Sequence, residues 1–371
     1  MMKHGFEVKA LDKDGNLLCL LRYSNLQWTR KYYTCGSFSV QIPLSQYHPD
    51  IKYIYTSERP ELGEVSQINY IDDGNHKYVS LSGYFLEYQL SRRIVYPKPN
   101  GATNITNGPE WVVQSGVAED VVFNYFNAFK DVSYTDESGT HNSVLGIDAG
   151  VNQHRGKNTT RHRLNDVLMN KLYSILKVSE MSFRVEYDFV NNTKTFNVIK
   201  GRDLTQTNED GNNPIIFSTR YGNLKSPNVL ISSTDYKNCY VATGTYTSTN
   251  ENDEQTDIIV VFAGNNAAPE DTSDRFLAVD SAVMREDYGS EEDYIEAVKS
   301  EGRTALNSCK VISSYDFDVV EGSYDYMTDF DLGDKCSLEI AEVGISIDAV
   351  LSGCIEVIKE NRWTMTLEFD T

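Results

Sequence analysis

Proline is scarce in this 371-residue chain, at nine positions, and histidine scarcer, at six. The six cysteines (19, 35, 239, 309, 336, 354) include no C-x-x-C pair and no close histidine. That spacing argues against a zinc site or a disulfide framework and for free thiols in a reducing cytoplasm. Long apolar runs are missing too. The opening Met-Met-Lys-His-Gly-Phe-Glu has no apolar stretch of signal-peptide length, so no export signal is expected. No segment approaches the ~18 apolar residues of a membrane-spanning helix. No G-x-S-x-G elbow, H-E-x-x-H, Walker loop or G-x-G-x-x-G occurs, so the expectation is no enzyme, no catalytic residue, no metal and no cofactor. Basic charge is in deficit, 34 Lys and Arg against 54 Asp and Glu, a net charge of −20. Such a chain repels nucleic acid and anionic membranes, and the densest basic stretch, Arg155 to Arg163, is too sparse to override that field.

What is abundant is tyrosine, at 24 residues, in a setting rich in Asn, Ser and Thr. This composition suits a mostly β protein with large contact surfaces. The length predicts two to four domains. Residues 1–96 read as short strands broken by turns. Phe6, Val8 and Ala10 alternate into the turn Asp12-Lys13-Asp14-Gly15, and Ile68–Tyr70 pairs with Tyr78–Leu81 across Asp72-Asp73-Gly74. Residues 97–108 have the composition of a linker or surface loop. Ser115 is placed to cap a helix with Ala118, Val121, Val122, Tyr125 and Phe129 on its apolar face. After a polar loop at 131–160, Thr160 is placed to cap a second helix bearing Leu164, Val167, Leu168, Leu172, Ile175 and Leu176.

Phe183, Val185, Tyr187 and Phe189 then alternate with charged residues, and Asn191-Asn192 turns the chain into Thr195–Ile199. Strand patterns return at 215–217, 229–231, 240–243 and 258–262, with a solvated hairpin tip at 247–257. A capping box at Ser290–Asp293 opens a helix to about Leu306. Strands follow at 311–318, 335–340, 345–358 with a kink at Gly353, and 363–369. The expected fold class is mainly β with α/β inserts (α+β). It divides into a first β-barrel-like domain at 1–96, a helix-plus-hairpin insert at 97–213, and a second barrel-like domain at 214–371 carrying a helical insert at about 265–308.

Leu26-Gln27-Trp28-Thr29-Arg30, Tyr32-Tyr33 and Gly36-Ser37-Phe38 set aromatics beside basic residues. Ser82-Gly83-Tyr84-Phe85-Leu86 leads to Leu90-Ser91-Arg92-Arg93-Ile94. Phe183-Arg184-Val185 precedes Phe196 to Asp203, which contains Lys200-Gly201-Arg202-Asp203. Near the end stands Asp329-Phe330-Asp331-Leu332-Gly333-Asp334. In this order and register the four stretches resemble the siphophage tail hub proteins, a family that contains the structural N-terminal module of tail-associated lysins and is related in architecture to the baseplate hub of T-even phages. Residues 97–162 and 250–290 match that pattern poorly.

The resemblance implies a structural, two-barrel protein of the virion, made in the host cytoplasm and assembled as a homo-trimer ring at the tail tip. Its implied partners are a distal tail protein or the tail tube, the tape-measure protein, and tail fibre or receptor-binding proteins, with DNA passing through the lumen unbound. In this family the lytic module follows the hub domain, so with the sequence ending at Thr371 none is expected.

Trp, Tyr and Arg dominate contact hot spots, so Trp28, Arg30, Tyr32 and Tyr33 are candidate interface residues, supported by Arg92 and Arg93. Trp28 and Tyr33 suit a barrel core equally well, and exposed arginines are usually solvated. Asp329, Asp331 and Asp334 allow an alternative reading as the carboxylates of a cell-wall-degrading enzyme, against a plain turn at Leu332-Gly333-Asp334. A glycan-binding adhesin is a further alternative. His154 and His162, eight apart, are weak metal candidates. Asp12-Lys13-Asp14-Gly15-Asn16 lacks the third acidic position and the final Glu of a calcium loop, and a hairpin turn is the better reading.

Overall fold

The computed structural model describes residues 6–72, 74–96, 113–162, 166–249, 255–265, 273–320, 322–360 and 362–371. The expected linker at 97–108, Leu164, and residues 250–254 of the hairpin tip at 247–257 lie outside the described residues. The chain forms two compact units, one of residues 1–228 with 316–371, the other of 229–315.

In the first unit seven strands run in sequence: β1 (Val8–Leu11), β2 (Leu17–Leu21), β3 (Asn25–Lys31), β4 (Ser37–Pro43), β5 (Tyr53–Thr56), β6 (Leu62–Asp72) and β7 (Lys77–Phe85). They hydrogen-bond in the order β3-β4-β7-β6-β5-β1-β2. Their alternate residues bury Val8, Leu26, Trp28, Phe38, Val40, Ile54 and Leu81 in one core. The strand Ile345–Lys359 then joins β3, Gly353 facing Lys31 and Lys359 facing Asn25. It also pairs with Lys335–Ile340 and Arg362–Asp370. First and last segments therefore share one hydrogen-bonded sheet. Asp203–Leu204 adds to Lys335–Ile340 in parallel, so position 213 is not a break in the pairing either.

Helices α1 (Ala118–Phe129) and α2 (Leu168–Lys177) pack with the hairpin Met181–Asp188/Thr193–Lys200 around Phe126, Phe183 and Phe196. The expected apolar face of α1 is buried in full, and so are Leu168, Leu172, Ile175 and Leu176 of α2. The expected caps are corrected. Ser115 and Thr160 face each other across a two-stranded ribbon, Val113–Val117 with Asn158–His162. The first amides of α1 instead donate to the backbone oxygens of Lys157 and Arg155, and that of Leu168 to Arg93. A neighbouring carbonyl satisfies a helix end as well as a side-chain cap does.

The unit at 229–315 is wider than the helical insert expected at 265–308. Its sheet orders Gln255–Asn265, Cys239–Thr249 and Phe276–Asp280. Helix α3 (Glu291–Ser308) packs on it through Tyr294, Val298 and Leu306 against Tyr240 and Ala242. The Ser290 side chain accepts the Asp293 N–H, the expected cap.

Candidate functional site

The four sequence stretches that carry the resemblance converge inside the first unit. Arg30 lies on β3 in the same alternating phase as Leu26 and Trp28, the buried one, so its guanidinium is carried inward and is 1% exposed. Its Nε donates to Glu61 Oε1 at 2.8 Å, and its Nη1 donates to Asp331 Oδ1 at 2.8 Å and to the Tyr326 hydroxyl. Burial pulls its pKa down, but Glu61, Tyr326 and Asp331 raise it further and keep it charged. Arg184, from the third stretch, approaches the same Glu61 oxygen at 3.4 Å. Beside it Arg59 pairs with Glu356 of Ile345–Lys359, its Nε 2.6 Å from Oε2. The result is a buried ionic cluster drawn from residues about 300 positions apart.

A second contact joins the same segments. The Tyr32 hydroxyl lies 3.2 Å from the backbone oxygens of Glu180 and Ile199 and accepts the Gly201 N–H at 3.3 Å. Gly333, at φ +92°, sits against the Tyr32 ring, where an added Cβ would stand 2.4 Å away. Gly201 meets the Gly333 carbonyl so closely that a Cβ there would lie 1.8 Å from it. Only glycine permits both approaches. Arg202 closes the junction on Asp334, Nη2 to Oδ2 at 2.6 Å, while its own N–H donates to Oδ1 at 2.7 Å.

Between the two halves of the second stretch stands Glu87, buried, whose Oε1 accepts the Val185 N–H at 3.0 Å. Its Oε2 meets no hydrogen-bond donor. Burial first, then the Glu61 charge, raises its pKa to about 7 against the opposing Val185 bond and Arg184 charge.

Most of the six candidate interface residues lie inside the chain. Trp28 is wholly buried, packed edge-on or tilted among Phe6, Phe38 and Phe85 at 4.8–6.4 Å, and Tyr32 is 1% exposed. Of the alternatives open for Trp28, core is the one observed. Arg93 is buried, donating to the backbone oxygens of Lys130 and Ser143. Tyr33 is half-buried beneath the Lys177 ammonium. Arg92 alone of the six is exposed, and its Nη2 binds Glu64 at 2.8 Å. Arg30 and Arg92 meet carboxylates of the same chain, Arg93 and Tyr32 meet backbone carbonyls, and Trp28 meets aromatic rings.

The acidic stretch is likewise committed. Asp331 serves Arg30, Asp334 serves Arg202, and Asp329 accepts the Asp325 N–H. Burial raises the Asp331 pKa, but Arg30, Arg184 and the Leu332 N–H outweigh it and hold it below the usual value. Asp331, one carboxylate of the enzymatic alternative, is thus held in its charged form by an arginine of the same chain. Asp12 closes its own turn, accepting from the Asp14 and Asn16 amides at 2.9 Å. His154 Nδ1 contacts Asp120 at 2.6 Å, and the His162 side chain is outside the described set. Among the described residues no three His, Cys, Asp or Glu are placed to hold a metal ion.

Glu61, Arg59, Arg184, Tyr326 and Glu356 are the members that sequence reading missed. A usable signal existed. Arg30 and Glu356 each stand in the apolar phase of a strand, Glu356 between Cys354 and Ile358, and a charge there needs a buried partner of opposite sign.

Comparison with known proteins agrees with this architecture. Among curated proteins no sequence matches. The fold is similar to that of the tail protein from Neisseria meningitidis MC58, at TM-score 0.57 and 11% identity, covering 99% of this chain and 97% of that one. It is also similar to the 43 kDa tail protein of prophage MuSo2 from Shewanella oneidensis, at TM-score 0.56 and 10% identity, covering 99% and 98%. The sequence matches one family description from residue 7 to residue 369, and the chain therefore belongs to the Siphovirus ReqiPepy6 Gp37-like protein family.

Proposed function

We propose that this protein is a structural component of a phage tail, of the baseplate hub type. It self-associates into a ring, a trimer, that closes the tail tube and anchors tail-tip or fibre components. The observation that carries this reading is the convergence of all four stretches on a buried junction rather than on an open cleft. Their arginines, glycines and aspartates fix first, central and last segments to one another, which suits a structural part. Family membership and the tail-protein fold support the same conclusion.

In this account the protein is a virion component with other tail proteins as partners: the tube or distal tail protein, the tape measure, and fibre or receptor-binding proteins. DNA passes its acidic surface without binding. Ring contacts then use surfaces other than Trp28, Arg30 and Tyr32, which are occupied inside the chain. Arg92 keeps enough exposure to contribute at the rim, where charges tune association rate more than affinity. The test is mass and shape in solution. Equilibrium sedimentation at micromolar concentration should return a discrete oligomer, and a monomer across that range would overturn the reading.

A further inference from the structure

A cleft of about 200 Å³ opens in the first unit beneath two hairpin turns, lined by Lys13, Asp14, Tyr53, Tyr187, Asn192 and Lys194 among others. The turns are latched over it. Asn192, at φ 52°, donates its Nδ2 to the Asp14 carbonyl at 2.8 Å and accepts the Tyr187 hydroxyl on Oδ1 at 2.9 Å. Gly15, at φ +83°, lies so close that a Cβ would stand 2.3 Å from Asn192 Oδ1. The Asn192 side chain thus ties the two turns together at the rim of the cleft.

Its charge is out of balance. Glu64 is the carboxylate that serves this corner, and it is saturated: Lys52 and Arg92 bind it at 2.8 Å each and Gln89 at 3.0 Å. Lys13 and Asp14 neutralise each other at 2.8 Å. Lys194 is left over. It has no hydrogen bond or ion pair among the described residues and sits half-buried with its ammonium 5.2 Å from the Tyr53 ring centre. A basic excess of this kind, in a protein of net charge −20, focuses field on one small opening.

We infer that this cleft is an anion site in which Lys194 binds a small carboxylate, with Tyr53 and Tyr187 flanking its carbon body. A carboxylate fits better than a phosphate because the cleft offers one free ammonium and no arginine fork. The volume limits the ligand to about one acidic side chain or one small free acid. Burial lowers the Lys194 pKa, with Arg92 and Lys52 adding to it against Glu64, so a bound carboxylate must raise it again. The inference does not depend on the assembly proposed above.

Competitive acylation of the wild-type protein tests it. Trace acetic anhydride is applied with sodium acetate, with a capped Gly-Asp-Gly peptide, or with sodium chloride at equal ionic strength, and each lysine is read by peptide mapping. Exposed Lys225 is the internal reference. A bound carboxylate should slow Lys194 alone, about tenfold for each pKa unit gained. Protection by acetate and peptide at similar concentrations identifies a site for free acids. Protection by the peptide at much lower concentration identifies a docking point for an acidic side chain of another polypeptide. Equal Lys194 rates in all three solutions overturn the proposal. In a second arm Lys194→Arg should keep binding of a fluorescent form of the peptide and Lys194→Met should lose it. Equal binding by both variants would also overturn the proposal.

Discussion

Replacing Arg30 by Met keeps most of the side-chain volume and removes only the charge and its donors. Glu61 and Asp331 then lose a guanidinium that holds both at 2.8 Å, and Glu61 is 3% exposed. Arg184, at 3.4 Å, is a weaker substitute on the same oxygen. Breaking a buried ion pair from one side costs about 3–5 kcal/mol, because the partner is left charged and dry. Urea unfolding followed by tryptophan fluorescence reports on this unit, since positions 28, 111 and 363 all fall within it. Removing the orphaned charge as well, with Glu61→Leu, should recover part of the loss, a coupling of about 1–3 kcal/mol. A loss under about 1 kcal/mol for Arg30→Met would match an ordinary surface pair and refute the view that this cluster ties the chain together.

Three further outcomes follow from the same geometry. Glu87 has its folded pKa raised to about 7 from 4.5, so its stabilising contribution is complete below about pH 4.5 and lost as pH rises through about 7. Glu87→Gln should therefore gain stability relative to wild type between pH 5 and pH 8, by about 3 kcal/mol at most, and a parallel pair of pH profiles would count against the assignment. Gly333→Ala should destabilise by about 2–4 kcal/mol, from φ +92° and contact with the Tyr32 ring. Gly74→Ala, at φ +87° in open space, should cost less, and equal losses in thermal melts would remove the packing argument. Asp331→Ala should leave a cell-wall digestion assay at the wild-type background. Muramidase or peptidase activity in the wild type, lost in that variant, would reinstate the enzymatic alternative.

Local patterns in the sequence were read well where the decisive contact is local. The 3.6-residue spacing of Val121, Val122, Tyr125 and Phe129, the alternation of Phe183, Val185 and Tyr187, and the capping serine at 290 each describe an interaction within a few residues. Ser115 and Thr160 misled because each fits a cap motif, whereas the helix amides are met by the carbonyls of Arg155, Lys157 and Arg93, which sequence spacing cannot locate. Trp28, Arg30 and Tyr32 misled for a related reason. An aromatic–basic stretch looks the same whether its partners belong to another subunit or to Asp331, Gly333 and Glu180 of the same chain. The pairing of β3 with Ile345–Lys359 is equally invisible in one sequence. The signal left unread was the mismatch of a charge in a buried phase, at Arg30 and Glu356.

The central claim is that this chain builds an assembly rather than catalyses a reaction, and the most direct measurement is the purified protein's sedimentation together with negative-stain images of the same sample. The expected result is a trimer, three times the 42.0 kDa chain mass, seen end-on as a ring with a central lumen. A 42.0 kDa monomer at micromolar concentration, with no ring in the images, would contradict it.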